Sequence, residues 1–576
     1  MAENDPVELE LFKNTITSIT DEMALTIVRT AYSGVLKNNM DFSTGFADAA
    51  GVLVAQGLTV PAHLGAMPGA IRALMRHFQD DMAPGDVFIT NDPFDGCMHL
   101  PDIYLFKPIF FNGERVAIAA TVCHHTDVGG RVAGSNASDS TEIYQEGLRL
   151  PHVKLYQAGK PNEAVFKILE KNVRMPVLLF GDIRAQLAAC HVAETQFLEM
   201  IEHYGVEAVR GHMRSVVDYA EKLTRAAIRT LPDRVVTFED WIDDDGVDYD
   251  KPIRIFVTIT KKGDGISVDW TGSAAQVRGA INVPFASTQA VTYCAIKSVL
   301  GGDIPNNEGV FRAIDVIAPA GSITNVVLPG ACAARGLTVF RMLDCLFGAL
   351  AKMLPDLVFA ASDGGLAGIT VGGYYPDRKP FIYVDFTSSA WGGRPWADGV
   401  DGISNLYGNA ALQSTEVTEA EQPLQILSCD FLCDRGGPGK FRGGAPFRRD
   451  YRFLEAEAVL QVRSDRRAFQ PYGLYGGSPG KPSSNVLNPS TEARVLPSKF
   501  TMTIRQDDVF RLELAGAGGW GNPLEREPQL VLEDVVDGFV SLEGAREDYG
   551  VVIDPLSRQV NGDATRELRR SIQAKN

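Results

Sequence analysis

The dipeptide Asn112-Gly113 constrains this chain more than any other feature, because it sits between two apolar runs. Asn and Gly both tolerate positive φ, which a two-residue type I′ hairpin turn requires. IYLFKPIF (103–110) and RVAIAATVC (115–123) therefore read as the two antiparallel strands of one hairpin. With Asn112 and Gly113 as the loop residues, Asp102 pairs with Cys123 and Pro101 with His124. His99 lies in a turn just before the first strand. The open end of the hairpin thus collects two imidazoles and a carboxylate.

Histidine is the commonest metal ligand and acid–base side chain. All nine His of this chain lie at or before His212, so metal or proton chemistry is sought in the first third. At about 150 residues per domain, 576 residues imply three to four lobes. Hydrophobic residues at 45% and charged residues at 22% exclude a disordered chain, a fibre and a small disulfide scaffold. A net charge of −17 repels a phosphate backbone, so nucleic acid is not an expected partner. The eight Cys form no CxxC pair, which excludes a zinc ribbon or thioredoxin motif. The acidic opening MAENDPVELELF lacks the form of a signal peptide, and no long apolar run appears. The expected location is the cytoplasm.

Asp5 as N-cap and Pro6 at the first helical position open an amphipathic helix whose buried stripe is Phe12, Ile16, Ile19, Met23 and Ile27. Residues 42–47 and 52–56 form a hairpin, and Met67 to Phe78 a short helix. VFIT (87–90) is a strand. Residues 163–204 read as one long helix, followed by another to about 230. IRIFVTIT (253–260) and ISVDW (266–270) pair across a KKGDG turn. Phe285–Leu300 is a helix stopped by Gly301-Gly302, and Thr338 is expected to cap a helix reaching Met353. Short strands and glycine loops fill the rest up to 515. The expected fold is α+β and multi-lobed, with mixed β-sheets, a helix-richer N-terminal part and a β- and glycine-rich C-terminal part. The expected units are 1–240 with the metal site, 241–523, and a polar tail 524–576 lying on the surface or on a partner. The charged stretch 241–251 marks the first boundary.

His99, Asp102 and His124 are the candidate metal ligands. Two His and one Asp make a facial set with open positions, which suits a catalytic ion better than a structural one. Their bland reading is three polar residues at a solvated strand end. Asp41 is either a fourth ligand or general base, or a carboxylate capping the hairpin start. His125 and Asp127 adjoin the ligands and are candidates to orient one or move a proton. His63 and Glu146 are candidate substrate-binding groups; their bland readings are a hydrogen-bonded core His and a solvated loop carboxylate. Gly516-x-Gly518-x-x-Gly521 matches GxGxxG, but Pro523 and a polar run follow where a nucleotide-binding helix must open. It reads as a turn. GSPGKPSS (477–484) fails as a phosphate loop at both ends.

NDPFDGCMHLPD (91–102) closely resembles the signature of the hydantoinase B/oxoprolinase family. Further similar strings are DFSTGFADAAGVLVAQ (41–56), PAHLGAMP (61–68), HHTDVGG (124–130), EIYQEGLRLP (142–151), GDIRAQLAAC (181–190), GKFRGGAPFRRDY (439–451) and GAGGWGNP (516–523). The resemblance spans nearly the whole chain. It implies a B-type subunit whose A-type ATPase partner, with ATP-Mg, phosphorylates the substrate oxygen, in a heterotetramer of two A and two B. It also implies a divalent transition metal (Zn, Mn or Fe) on His99, Asp102 and His124. The implied reaction is ATP-dependent hydrolysis of a cyclic amide of hydantoin, lactam or 5-oxoproline type, in which the ion lowers the pKa of water. The alternative is the alpha-type subunit of an ATP-dependent ketone carboxylase. A third reading is a scaffold that only stabilises its ATPase partner.

Overall fold

The computed structural model describes residues 6–57, 60–63, 65–364, 367–387, 390–408 and 412–574. The first helix, α1 (Pro6–Thr30), buries the predicted stripe of Phe12, Ile16, Ile19, Met23 and Ile27. Each such burial stabilises by about 1.5–3 kcal/mol. The proposed cap Asp5 lies outside the described residues.

A seven-stranded sheet carries the N-terminal part. In chain order its strands are β1 (Phe42–Asp48), β2 (Leu53–Gln56), β3 (Val87–Thr90), β4 (Asp102–Phe111), β5 (Glu114–His124), β6 (Val153–Gln157) and β7 (Lys160–Pro161). Their spatial order is β2-β1-β5-β4-β3-β6-β7. Helix α2 (Met67–Phe78) matches its predicted span. The long helical pattern is broken into α3 (Glu163–Asn172) and α4 (Pro176–Tyr204), and α5 (Val206–Arg229) follows. Pro176 causes the break, since the residue before a proline is steered out of the helical region; Met175 sits at φ −121° and ψ 62°. Helices α1 and α4 pack against β1 and β5, where Phe12, Ile16, Phe42, Phe46, Ala119, Ala189 and Phe197 share one core.

The register of β4 and β5 corrects the sequence-based one. Phe110 pairs with Arg115 as the Asn-Gly turn dictates, but Ile109 pairs with Ala117, so Val116 is an extra residue in a β-bulge. Every pair beyond it is shifted by one. Asp102 therefore faces His124, and Ile103 faces Cys123.

A second sheet follows, with β8 (Arg234–Ile242), β9 (Ile253–Lys262), β10 (Gly265–Asp269) and β11 (Ile314–Ile317) in the order β11-β10-β9-β8. Helices α6 (Phe285–Leu300) and α7 (Gly336–Ala351) pack against it. One core runs from Phe88, Tyr104 and Phe106 of the first sheet through Ile255, Val257 and Trp270 to α7. Every residue from Leu337 to Ala351 is buried, as befits a helix that is apolar on most faces. Helix α7 starts before Thr338, so Thr338 is not its cap; its hydroxyl donates to the Ile281 carbonyl at 2.6 Å.

The acidic stretch 241–251 joins two paired strands, and several of its carboxylates turn inward. Asp243 accepts from the backbone of Arg467, Ala468 and Phe469, and Asp245 from Val247, Asp248 and Gly279. Beside them lies a buried ion network. Arg466 binds Asp240 and Asp344, Arg341 binds Asp240 and Asp465, and Lys499 reaches Asp465.

Two antiparallel sheets build the C-terminal part. One orders β12 (Ala367–Tyr374), β13 (Pro380–Thr387), β16 (Glu457–Arg463) and β19 (Lys499–Arg505) as β13-β12-β16-β19. The other orders β14 (Leu424–Phe431), β15 (Phe447–Phe453), β17 (Ser484–Leu487), β18 (Arg494–Val495) and β20 (Val509–Glu513) as β14-β15-β20-β17-β18. Ile369, Leu460, Tyr451 and Phe510 share their core, as in a sandwich. The GxGxxG stretch opens no helix. It lies in an interlock of glycine-rich loops packed backbone to backbone: a Cβ on Gly516 would fall 1.7 Å from the Arg435 carbonyl oxygen, and one on Gly480 1.9 Å from that of Gly516.

Residues 524–574 are more than a strand of tail. They fold into α8 (Pro528–Asp537), α9 (Leu542–Glu547) and α10 (Gly562–Gln573) around Val531, Ala545, Tyr549 and Val551. Arg526 fastens them to the body through Asp398, and Asp534 of α8 does so through Arg442.

Candidate metal centre

The bulge decides which face the hairpin ligands occupy. Directly opposed residues of an antiparallel pair project to the same face, and neighbours along a strand to opposite faces. In the unbulged register His124 would face Pro101 and lie on the other side from Asp102. The extra residue at Val116 brings both to one side. β1 adds Asp41 at the same end, since Phe42 pairs with Cys123 and the His124 amide donates to the Asp41 carbonyl.

The three candidate ligands converge. His99 Nε2 lies 2.9 Å from Asp102 Oδ1, His124 Nδ1 lies 3.2 Å from the same oxygen, and the two ring nitrogens are 3.2 Å apart. Three donors about 2.0–2.2 Å from one ion present a triangle of this size. The chemistry of the donors fits as well. His99 Nδ1 donates to the Ala333 carbonyl at 3.1 Å, which leaves Nε2 as the lone-pair nitrogen facing the triangle. Burial, helped by the Arg335 guanidinium, pushes His99 down to about 3, so it is neutral near pH 7. Burial alone would raise the Asp102 carboxyl, but the Arg335 guanidinium beside it holds it well below the usual range. Arg335 Nη2 donates to Asp102 Oδ2 at 2.7 Å, which turns Oδ1 toward the ring nitrogens.

These groups line a cavity of about 80 Å³. Its walls mix apolar side chains (Val60, Leu337, Val339, Phe340, Phe386, Tyr407) with Asp41, His63, Asn136, Arg335 and Arg463. Such a mixture of apolar wall and few polar groups suits a small organic substrate. Asp41 Oδ2 lies 4.0 Å from His124 Nδ1, and Asp41 Oδ1 lies 3.8 Å from His63 Nε2. His63 Nδ1 is 3.0 Å from Ser43 Oγ, and burial lowers the His63 imidazolium.

The other expected site residues lie elsewhere. His125 follows His124 on the strand's opposite face; its Nε2 meets Gln186 Oε1 at 3.1 Å, and Gln186 in turn donates to the Ile103 carbonyl and Thr121. Asp127 knits a loop, accepting from the amides of Gly129, Gly134 and Arg174 and from the Arg174 guanidinium. Glu146 is not a solvated loop carboxylate. Its Oε1 accepts from the amides of Cys332 at 2.7 Å and Ala333 at 2.9 Å, so it underpins the loop that carries Arg335. Burial pushes its carboxyl up to about 8.

Sequence reasoning missed Arg335, Arg463 and the Ala333 carbonyl. Arg335 is 233 residues from Asp102, and no local pattern marks such a pairing. It also missed a second cluster, His77, Asp95 and His152, in which Arg76 already donates to Asp95 at 2.9 Å. Among the described residues, no helix is long and apolar enough to cross a membrane.

Known proteins share this sequence pattern and this fold. The family model described as Hydantoinase B/oxoprolinase matches residues 5–523. The B-type subunit of a putative D-/L-hydantoinase from Pseudomonas sp. (strain NS671) is 32% identical over 585 residues, covering 98% of each chain. The crystal structure of the ATP-dependent caprolactamase from Pseudomonas jessenii superposes with a TM-score of 0.92 at 28% identity, covering 98% of this chain and 99% of that one. An acetone carboxylase in its nucleotide-free form reaches the same TM-score of 0.92 at 19% identity, covering 99% and 83%; this likeness is one of fold.

Proposed function

Because this chain belongs to the hydantoinase B/oxoprolinase family, we propose that it is the B-type subunit of an ATP-dependent hydrolase of cyclic amides. The observation that carries the reading is the triangle of His99, Asp102 and His124 at the wall of a cavity sized for a small ring. An amide carbonyl is a poor electrophile, so phosphorylation of the substrate oxygen by an A-type partner carrying ATP-Mg prepares it for attack by water. The two subunits form a heterotetramer of two A and two B. A divalent Zn, Mn or Fe ion held by the three ligands supplies Lewis acidity and lowers the pKa of water toward neutrality.

This chain's residues do the rest. Arg335 and the Ala333 carbonyl fix the ligand orientations. Asp41, 17% exposed and backed by His63, is the cavity carboxylate placed to take a proton from attacking water. The apolar walls limit competing water. His125 and Asp127, the other two proton acceptors considered, act through the fold rather than at the cavity.

The test is His124→Ala in the reconstituted pair. Lactam hydrolysis is expected to fall at least ~10²-fold with loss of bound metal, because even indirect disturbance of a metal site costs 10–100-fold. Hydrolysis that persists at full metal content would refute the assignment. Incorporation of labelled bicarbonate into product would instead support the ketone-carboxylase reading, which the shared fold keeps in view.

A further inference from the structure

Six arginines are buried among the described residues: Arg341, Arg442, Arg449, Arg463, Arg466 and Arg526. Five of them meet carboxylates: Arg341 (Asp240, Asp465), Arg442 (Asp401, Asp534), Arg449 (Asp385), Arg466 (Asp240, Asp344) and Arg526 (Asp398, Asp534). Arg463 does not. It is 4% exposed, and its Nη1 donates only to neutral acceptors, the Asn136 carbonyl at 2.9 Å and Thr370 Oγ1 at 3.2 Å. Its Nη2 is buried with no partner. Burial alone acts on it, pressing the guanidinium down to about 10. Yet Arg463 lines the cavity of the metal centre. The fold makes room for it there: Arg463 pairs across strands with Gly368, and a Cβ on Gly368 would lie 2.3 Å from Nη2.

Burying a cation without a counter-charge is costly, and the cost is recovered only when an anion arrives. The cavity offers one more positive element. Gly336 and Leu337, at the N-terminus of the 16-residue helix α7, line it too, and the positive end of the helix dipole there favours anions. The negative charge of Asp102 is already met by Arg335.

We propose that Arg463, with the first turn of α7, is an oxyanion subsite that binds the phosphoryl group of the activated substrate. The inference rests on the reading above that substrate arrives phosphorylated. It adds how this chain holds the phosphoryl oxygens beside the metal ligands, and it gives Arg463 a positive charge kept free for that purpose.

The test needs no turnover. Inorganic phosphate is titrated calorimetrically into the full, metal-loaded chain and into Arg463→Met and Arg463→Lys, with metal content measured in each. The wild type is expected to bind phosphate and to gain thermal stability with it. Arg463→Met should bind at least ~10-fold more weakly, since a hydrogen bond from a charged group is worth a factor of that order, and Arg463→Lys should fall between. If one variant fails to fold, the other carries the comparison. Equal phosphate affinity in wild type and variant overturns the subsite, as does displacement of phosphate by an equal concentration of acetate, which would mark a carboxylate site. Either failure leaves the hydrolase reading to the His124→Ala assay.

Discussion

Two buried charge clusters in this molecule share residue types and differ in closure. In the network beneath α7, Arg466 bridges Asp240 and Asp344, Arg341 bridges Asp240 and Asp465, and Lys499 completes Asp465. Each charge meets an opposite one. At the cavity, Arg463 has no counter-charge, and its Nη2 and His124 Nε2 are buried without a partner. Buried polar groups are normally satisfied within the protein, so an open cluster beside a closed one shows where an external ion or ligand completes the structure.

The largest break comes in the closed network. Arg466→Ala leaves Asp344 without its cation and Asp240 with Arg341 alone, and loss of one partner of a buried pair typically costs about 3–5 kcal/mol. Chemical denaturation should show this as a lowered midpoint at any phosphate or metal concentration; a near-neutral result would mean the network is slack. This contrasts with Arg463, whose effect should depend on the anion present.

A smaller effect sharpens the role of Glu146. Its folded carboxyl is raised to about 8 from an ordinary 4.5, so the native state holds the proton more tightly than the unfolded one. Stability is therefore fully present below pH 4.5 and declines as pH rises from there to about 8. Glu146→Gln keeps the oxygen that accepts from Cys332 and Ala333 but cannot ionise. Measured at pH 5 and pH 9, the difference in melting temperature should move in the variant's favour at the higher pH, by an energy on the order of 1 kcal/mol or more. An unchanged difference would show that Glu146 titrates normally. The smallest effect serves as a baseline: Arg312→Ala removes half-exposed pairs with Asp218 and Glu221 and should cost less than about 1 kcal/mol.

Local chemistry was readable in the sequence wherever it was local. The Asn112-Gly113 turn, the stripe of α1 and the Gly301 stop of α6 each depend on residues a few positions apart. The triangle of His99, Asp102 and His124 was reachable because one hairpin holds most of it. Its exact register was not, since Val116 looks like any strand valine and no local residue pattern marks the bulge. The run 241–251 reads as a boundary because its counterparts, among them the backbone at 467–469, come from over 200 residues away. Arg335 and Arg463 were invisible for the same reason: they are ordinary arginines until the fold sets them at the cavity. The His-free portion therefore supplies the cations of the cavity, while the first third supplies its proposed metal ligands.

The glycine interlock bears on how a map of tolerated substitutions should be read. At Gly516 and Gly480 even a methyl group would occupy the space of another loop's carbonyl. A saturation scan would find an island there as intolerant as the proposed metal ligands, for reasons of packing alone. Intolerance at His124 should travel with lost metal and intact folding; intolerance at Gly516 should travel with lost protein. Abundance measured beside activity separates the two, and guards against taking the chain's most fastidious loop for its active site.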